Sequence, residues 1–172
     1  DKMASAVLVT DSRELAQAVS REIENQLQTL EREEIARASI EQNGKIIVAR
    51  SLTQAAAVAN RIAPEHLELS VDDPFDYLGL IENAGSIFLG RYNPEPMGDY
   101  FAGPNHTLPT MGTARFYSPL SVDDFIKKSQ FSYYTRKALE RDYRKGSRFA
   151  KEEGLTAHAR AVDIRFEKEG ET

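Results

Sequence analysis

The residues best suited to chemistry gather around three histidines, His66, His106 and His158, each beside turn or helix-breaking residues. The densest stretch is Gly98-Asp99-Tyr100-Phe101-Ala102-Gly103-Pro104-Asn105-His106-Thr107-Leu108-Pro109. It holds a carboxylate, an imidazole and an amide among two glycines and two prolines, with Pro94, Pro96 and Gly112 around it. No helical or alternating period runs through it, so it reads as an irregular binding or catalytic loop. Asp99 there serves as an N-cap, a turn residue or a hard oxygen ligand, and His106 either does chemistry or steadies its own loop. Glu65-His66 joins two groups that exchange protons near neutral pH when their environments are tuned, and reads equally as a surface pair at a strand start. Glu153 and His158 flank Gly154 at a helix end. There a carboxylate orients an imidazole or a substrate amine, or the three residues are an ordinary helix terminus.

Metal ligation narrows the options. With no cysteine in the chain, a zinc site would draw on Asp and His alone. The sequence has no His-x-x-x-His helix, no Gly-x-Gly-x-x-Gly turn and no phosphate loop, so no complete cofactor site is visible.

The elements that must position these groups follow a βα rhythm. Ala6–Thr10 is a short apolar run that reads as a buried strand, and Asp11-Ser12, with Glu14 in capping-box position, opens a helix. Its stripe of Leu15, Val19, Ile23, Leu27 and Leu30 predicts one long helix that closes at Asn43-Gly44. Strands are expected at Lys45–Ala49, His66–Ser70 and Ser86–Gly90. A helix from Ser51 and Gln54 should stop before Pro64, and a short one should start at Pro74. This order predicts an α/β fold with a mostly parallel sheet flanked by helices. Ala114–Ser118 reads as a further strand, and Ser121 with Asp124 caps a helix through Ile126. A longer helix covers Ser132–Glu153 with Gly154 as its C′ residue, a turn or short helix follows over Leu155–Ala159, and Val162, Ile164 and Phe166 alternate as a closing strand. The rhythm is lost after about Ser121, which marks residues 121–172 as an arm beside a 1–120 domain.

The chain of 172 residues is long enough for one domain with an appendage, burying about 70% of its unfolded surface. Apolar and charged contents of 41% and 28% are those of a globular protein. A net charge of −5 without a basic stripe argues against nucleic acid. No apolar run is long enough to span a membrane, and the absence of cysteine suits a reducing cytoplasm. The chain opens on Asp1 and enters a strand within a few residues, the expectation for part of a longer protein.

Four co-linear motifs resemble histidinol dehydrogenase. They are Ala63-Pro64-Glu65-His66-Leu67, Ala84-Gly85-Ser86-Ile87-Phe88-Leu89-Gly90, Gly98-Asp99-Tyr100 with Gly103-Pro104-Asn105-His106-Thr107-Leu108-Pro109-Thr110, and Glu153-Gly154-Leu155-Thr156-Ala157-His158. The likeness implies a zinc-containing, NAD-dependent enzyme that oxidises L-histidinol through histidinaldehyde to L-histidine, working as a homodimer with intertwined C-terminal parts. It implies Asp99 and His158 as zinc ligands, with His158 given to the partner subunit's site. It implies His66 as general base for alcohol oxidation and Glu65 as the residue that activates water at the aldehyde stage. His66, Asp99, Glu153 and His158 would contact histidinol, with His106 close by. Two further ligands, a Gln and a His, and the NAD-binding segment would lie ahead of Asp1. This chain is then the C-terminal half of an incomplete Rossmann-like domain plus a helical dimerisation arm, expected to hold zinc weakly and not to turn over alone. The competing readings are a non-catalytic α/β dimerisation module and a zinc-dependent hydrolase that uses the same Asp and His residues.

Overall fold

The computed structural model describes residues 1–167. The chain divides into a unit spanning Asp1–Ile126 and a C-terminal unit that begins at Lys127. The first unit carries four short strands: β1 (Val7–Thr10), β2 (Lys45–Val48), β3 (His66–Leu69) and β4 (Ser86–Leu89). Each lies within one residue of its expected bounds. They form two separate parallel pairs, β1 with β2 and β3 with β4, rather than one continuous sheet. Between β2 and β3 the chain is redirected by Ala63, in a left-handed conformation at φ 52, and by Pro64. After this turn β3 takes β4 as its neighbour.

Helices flank the strands. The expected single helix after β1 is two, α1 (Arg13–Leu27) and α2 (Glu33–Asn43). Ser12, not an Asp11–Glu14 pair, caps α1, its hydroxyl accepting from the Leu15 N–H. The break comes where Thr29 folds back and donates both its amide and its hydroxyl to the Gln26 carbonyl. A short polar side chain there competes with helix propagation. Leu27 is buried and Leu30 half-exposed, so the apolar stripe ends with α1. Arg37 on α2 donates to Glu24 of α1 and Glu33 of its own helix, tying the two together.

α3 (Leu52–Ile62) follows β2 and packs on β1 through Ala55, Ala56 and Ala59 on its buried side. Ser51 caps it by accepting from Gln54 N–H, while the Gln54 side chain reaches back one residue beyond the cap and accepts from Arg50 N–H. α4 (Pro74–Leu78) begins on its proline as expected. A further helix, α5 (Glu95–Tyr100), occupies the start of the stretch expected to be irregular.

The expected strand at Ala114–Ser118 is instead a 3-10 turn at Thr113–Arg115. Met111 and Gly112 both take positive φ, 54 and 78, which reverses the chain. The Arg115 guanidinium then donates to the Gly112 and Arg61 carbonyls and holds the reversal closed. Ser121 and Asp124 do form a reciprocal capping box, but the helix they open is one 3-10 turn, Val122–Phe125.

The C-terminal unit is a helical hairpin of α6 (Arg136–Glu152) and α7 (Thr156–Asp163). α6 starts at Arg136 rather than Ser132 because the Thr135 hydroxyl accepts from Ala138 N–H and fixes the cap there. Gly154 takes φ 74, the left-handed C′ conformation expected of it. The closing strand through Val162, Ile164 and Phe166 is absent, and α7 runs through its first residue. Ala159, Val162 and Phe166 share a helical spacing; Ala159 is buried, Phe166 stacks on Tyr143 at 4.5 Å, and Ile164 is exposed. Two of the three alternating apolar residues thus also satisfy a helical period, and contact with α6 decides between the two.

Candidate active site around His66

His66 opens β3, and its setting is made by the bend before it. The Pro64 and Glu65 carbonyls accept from the amides of Gly85 and Ser86, the residues that lead into β4. A Cβ at Gly85 would stand 2.5 Å from the Glu65 carbonyl oxygen, so only glycine allows this approach. The bend at Glu65 that a shared Glu65–His66 site would require is present.

α5 lies over His66. Glu95 and Asp99, four residues apart on one helix face, bring their carboxylates to the imidazole. His66 Nε2 is 3.6 Å from Glu95 Oε1 and 3.7 Å from Asp99 Oδ1. His106 Nδ1 is 3.9 Å from the other Asp99 oxygen, on a more exposed side chain. The Phe88 ring flanks His66 at 6.0 Å between centroids. Gly98 rests on that same ring: a Cβ there would meet Phe88 Cε1 at 2.4 Å. The missing side chain is what lets the helix come close enough for its acids to reach His66.

The electrostatics of this group are unfinished. His66 Nε2 is buried and has no hydrogen-bond partner among the described residues. Burial pushes the Glu95 carboxyl above its ordinary value; His66 pulls it back, and the nearby Asp99 and Glu68 carboxylates raise it further. His66, Glu95 and Asp99 each offer a ligand atom, all within 4.8 Å of one another. One imidazole nitrogen and two carboxylate oxygens are donors that zinc accepts, so the group fits a metal of that kind.

Further along, Asn105 holds the loop that carries His106. Its side chain accepts from Thr107 N–H and donates to the Leu120 carbonyl, and Leu120 N–H returns a bond to Thr107. Of the six residues singled out in the sequence, the structure brings His66, Asp99 and His106 together, with Glu65 adjoining His66 in the chain. Glu153 and His158 belong to the C-terminal unit, Glu153 as the C-cap of α6 and His158 on the exposed side of α7.

Glu95 was not among the sequence candidates. The signal was present as a Glu-x-x-x-Asp spacing, but prolines on either side of Glu95 hid a six-residue helix. Those prolines occupy the N-cap and the second helical position, where a missing N–H costs no helical bond.

A family model for histidinol dehydrogenase matches residues 1–166. A histidinol dehydrogenase from Bacillus cereus is 56% identical over 169 residues, covering 98% of this chain and 39% of the relative. One from Geobacter metallireducens is 56% identical over 171 residues, with 99% and 39% covered. The crystal structure of histidinol dehydrogenase from Elizabethkingia anophelis superposes with a TM-score of 0.76 at 40% identity, covering 92% of this chain and 36% of that one. The chain therefore spans about two-fifths of the length of these relatives.

Proposed function

The chain belongs to the histidinol dehydrogenase family, and on that footing we propose that it supplies the acid–base part of a site oxidising L-histidinol through histidinaldehyde to L-histidine. The observation that carries the reading is His66 Nε2, buried without a hydrogen-bond partner and facing two carboxylates at 3.6 and 3.7 Å. A nitrogen so placed is ready for a substrate proton. His66 is the base that takes the alcohol proton as the hydride leaves the carbinol carbon. Glu65, beside it, takes a proton from the water that adds to the aldehyde, and a second hydride loss from that hydrate gives the carboxylate. Zinc, when bound, would orient the substrate's imidazole and amine, and NAD would supply the oxidant, one molecule taking up one hydride in each of the two oxidations. Asp99 would hold the metal, with Glu95 beside it and His66 Nε2 kept off the metal for the proton, and His106 borders the site.

Residues 1–120 are read as half of a Rossmann-like domain, and 121–172 as an arm exchanged between two subunits of a cytoplasmic homodimer. In that arrangement Glu153 and His158 reach the partner's substrate and His158 completes its zinc. Phe131 and Tyr133, at 97% and 83% exposure, support an arm that is covered by another chain. No helix among the described residues is long and apolar enough to cross a membrane.

Zinc content and histidinol-dependent NAD reduction, measured on this chain and on the chain preceded by the remaining N-terminal part of the Bacillus cereus relative, test the reading. Zinc and turnover in the longer protein alone are expected. Failure of the longer protein, folded and dimeric, would favour a non-catalytic dimerisation module.

A further inference from the structure

We propose that Glu68 is a positioning residue for this site, holding α5 at the height from which Glu95 and Asp99 face His66. For its activity readout the inference rests on the function proposed above. Its structural half stands alone.

α5 has only six residues and opens poorly supported. Its N-cap is Pro94, which has no side-chain acceptor, and its second residue is Pro96, which has no N–H. The first helical amide, Glu95 N–H, donates at 2.9 Å to Glu68 Oε1, twenty-seven residues away in the chain. Glu68 lies two residues after His66 on β3, hence on the same face of the strand. Its cross-strand partner in register is Phe88, whose ring meets Gly98 near the other end of α5. One face of the β3–β4 pair therefore carries His66 together with a contact for each end of the helix. The dimensions agree: two residues of strand advance about 7 Å, and the four residues from Glu95 to Asp99 advance about 6 Å along a helix. With Glu68 holding the amide of Glu95, Asp99 falls opposite His66.

Glu68 is itself exposed, and its nearness works against Glu95 by like charge. Toward the site's own acids its charge is unfavourable, while toward the helix start a carboxylate is the favourable sign. The bond to the helix start is what it offers.

Three variants separate reach from charge: Glu68→Ala removes the acceptor, Glu68→Asp keeps the charge but shortens the arm, and Glu68→Gln keeps an acceptor oxygen at full length. In the longer protein described above, Ala and Asp are each expected to lower kcat about 10-fold, with KM for NAD unchanged, and Gln to restore most of it. In the 172-residue chain itself, the Glu95 amide proton should exchange faster in the Ala and Asp variants and as in the original chain in Gln. An alanine variant with unchanged kcat, or a glutamine variant as impaired as alanine, overturns the proposal. If the longer protein has no turnover even without substitution, the functional reading falls, and Glu95 amide exchange alone decides: equal protection in all four proteins sinks the role of Glu68. A melting curve on each variant distinguishes loss of position from loss of fold.

Discussion

Glu95 and Asp163 are carboxylates of similar exposure, 34% and 28% at the side chain, placed in opposite circumstances. Asp163, at the end of α7, accepts from Lys151 Nζ at 3.0 Å and from the buried Ser147 hydroxyl at 2.8 Å, both on α6. Those bonds, Lys151 first, hold its carboxyl below the usual range. Glu95 has no such donors among its described partners, and burial with two neighbouring acids pushes it the other way. In the helical hairpin the carboxylates of Asp142, Glu152 and Asp163 each face a cationic partner. The group around His66 gathers like charges beside a nitrogen with no partner. Structure that serves stability alone has no reason to be left in that state, and sites that await a ligand often are. The comparison thus separates a part of the molecule that holds itself together from a part arranged for something else to complete.

The sharpest way to break this contrast is at His66 itself. His66→Gln in the longer protein is expected to lower kcat about 10²–10⁴-fold while leaving the melting temperature nearly unchanged. A drop in stability with turnover retained would mean that His66 is structural and the comparison is void.

Two glycines, one in each unit, sharpen it next. Gly98→Ala sets a methyl 2.4 Å from the Phe88 ring carbon and should cost about 1–3 kcal/mol as α5 is forced off the β3–β4 face. Gly146→Ala, in the interior of α6, meets nothing within 4 Å. There alanine should stabilise by about 0.5–1 kcal/mol, since it removes glycine's excess backbone freedom. Opposite signs in thermal unfolding are expected. The first variant should also weaken turnover and the second should not.

How much of this was legible beforehand follows from the kind of signal each element sends. Strands β1 to β4 were readable because each is a brief apolar run bounded by breakers, and Ser51 with Gln54 announced α3 unaided. Pairing was not readable: whether β2 meets β3 depends on the left-handed turn at Ala63, which no composition reveals. The long first helix was misjudged at Thr29, where a side chain competing for the Gln26 carbonyl outweighs a continuing apolar stripe. At the C-terminus, Val162, Ile164 and Phe166 satisfy alternation on paper, but burial of Ala159 against α6 selects the helix. Within the site, His66, Asp99 and His106 stood out by residue type and by resemblance to a family. Glu95 stayed hidden because its prolines read as loop, although at helix starts they are tolerated. Glu68 carried no signal at all. Its importance lies in a bond to a backbone amide, which any acceptor of the right length in the right place would make.

The smallest effect is the most diagnostic, because its sign reverses between the two regions. Asp163 has a depressed folded-state pKa, so its contribution to stability is present above the unfolded value of about 3.9 and is lost as pH falls through the folded one. Asp163→Asn should therefore loosen α7 at pH 7, with the difference from the unsubstituted chain shrinking as the solution is acidified through the depressed folded-state value, as read by hydrogen exchange in the α6–α7 hairpin. Glu95 has a raised folded-state pKa, so its contribution is intact below the unfolded value of about 4.3 and is lost as pH rises through the folded one. Glu95→Gln should then equal the unsubstituted chain at pH 4 and gain on it toward pH 8, as read by exchange in β3 and α5. Each side chain is about one-third exposed, so water screens its partners in both cases. The directions of the two shifts are what matter. If both substitutions destabilise at pH 7, Glu95 is as well satisfied as Asp163. The crowded carboxylates at His66 would then be ordinary structure rather than a site awaiting its ligand.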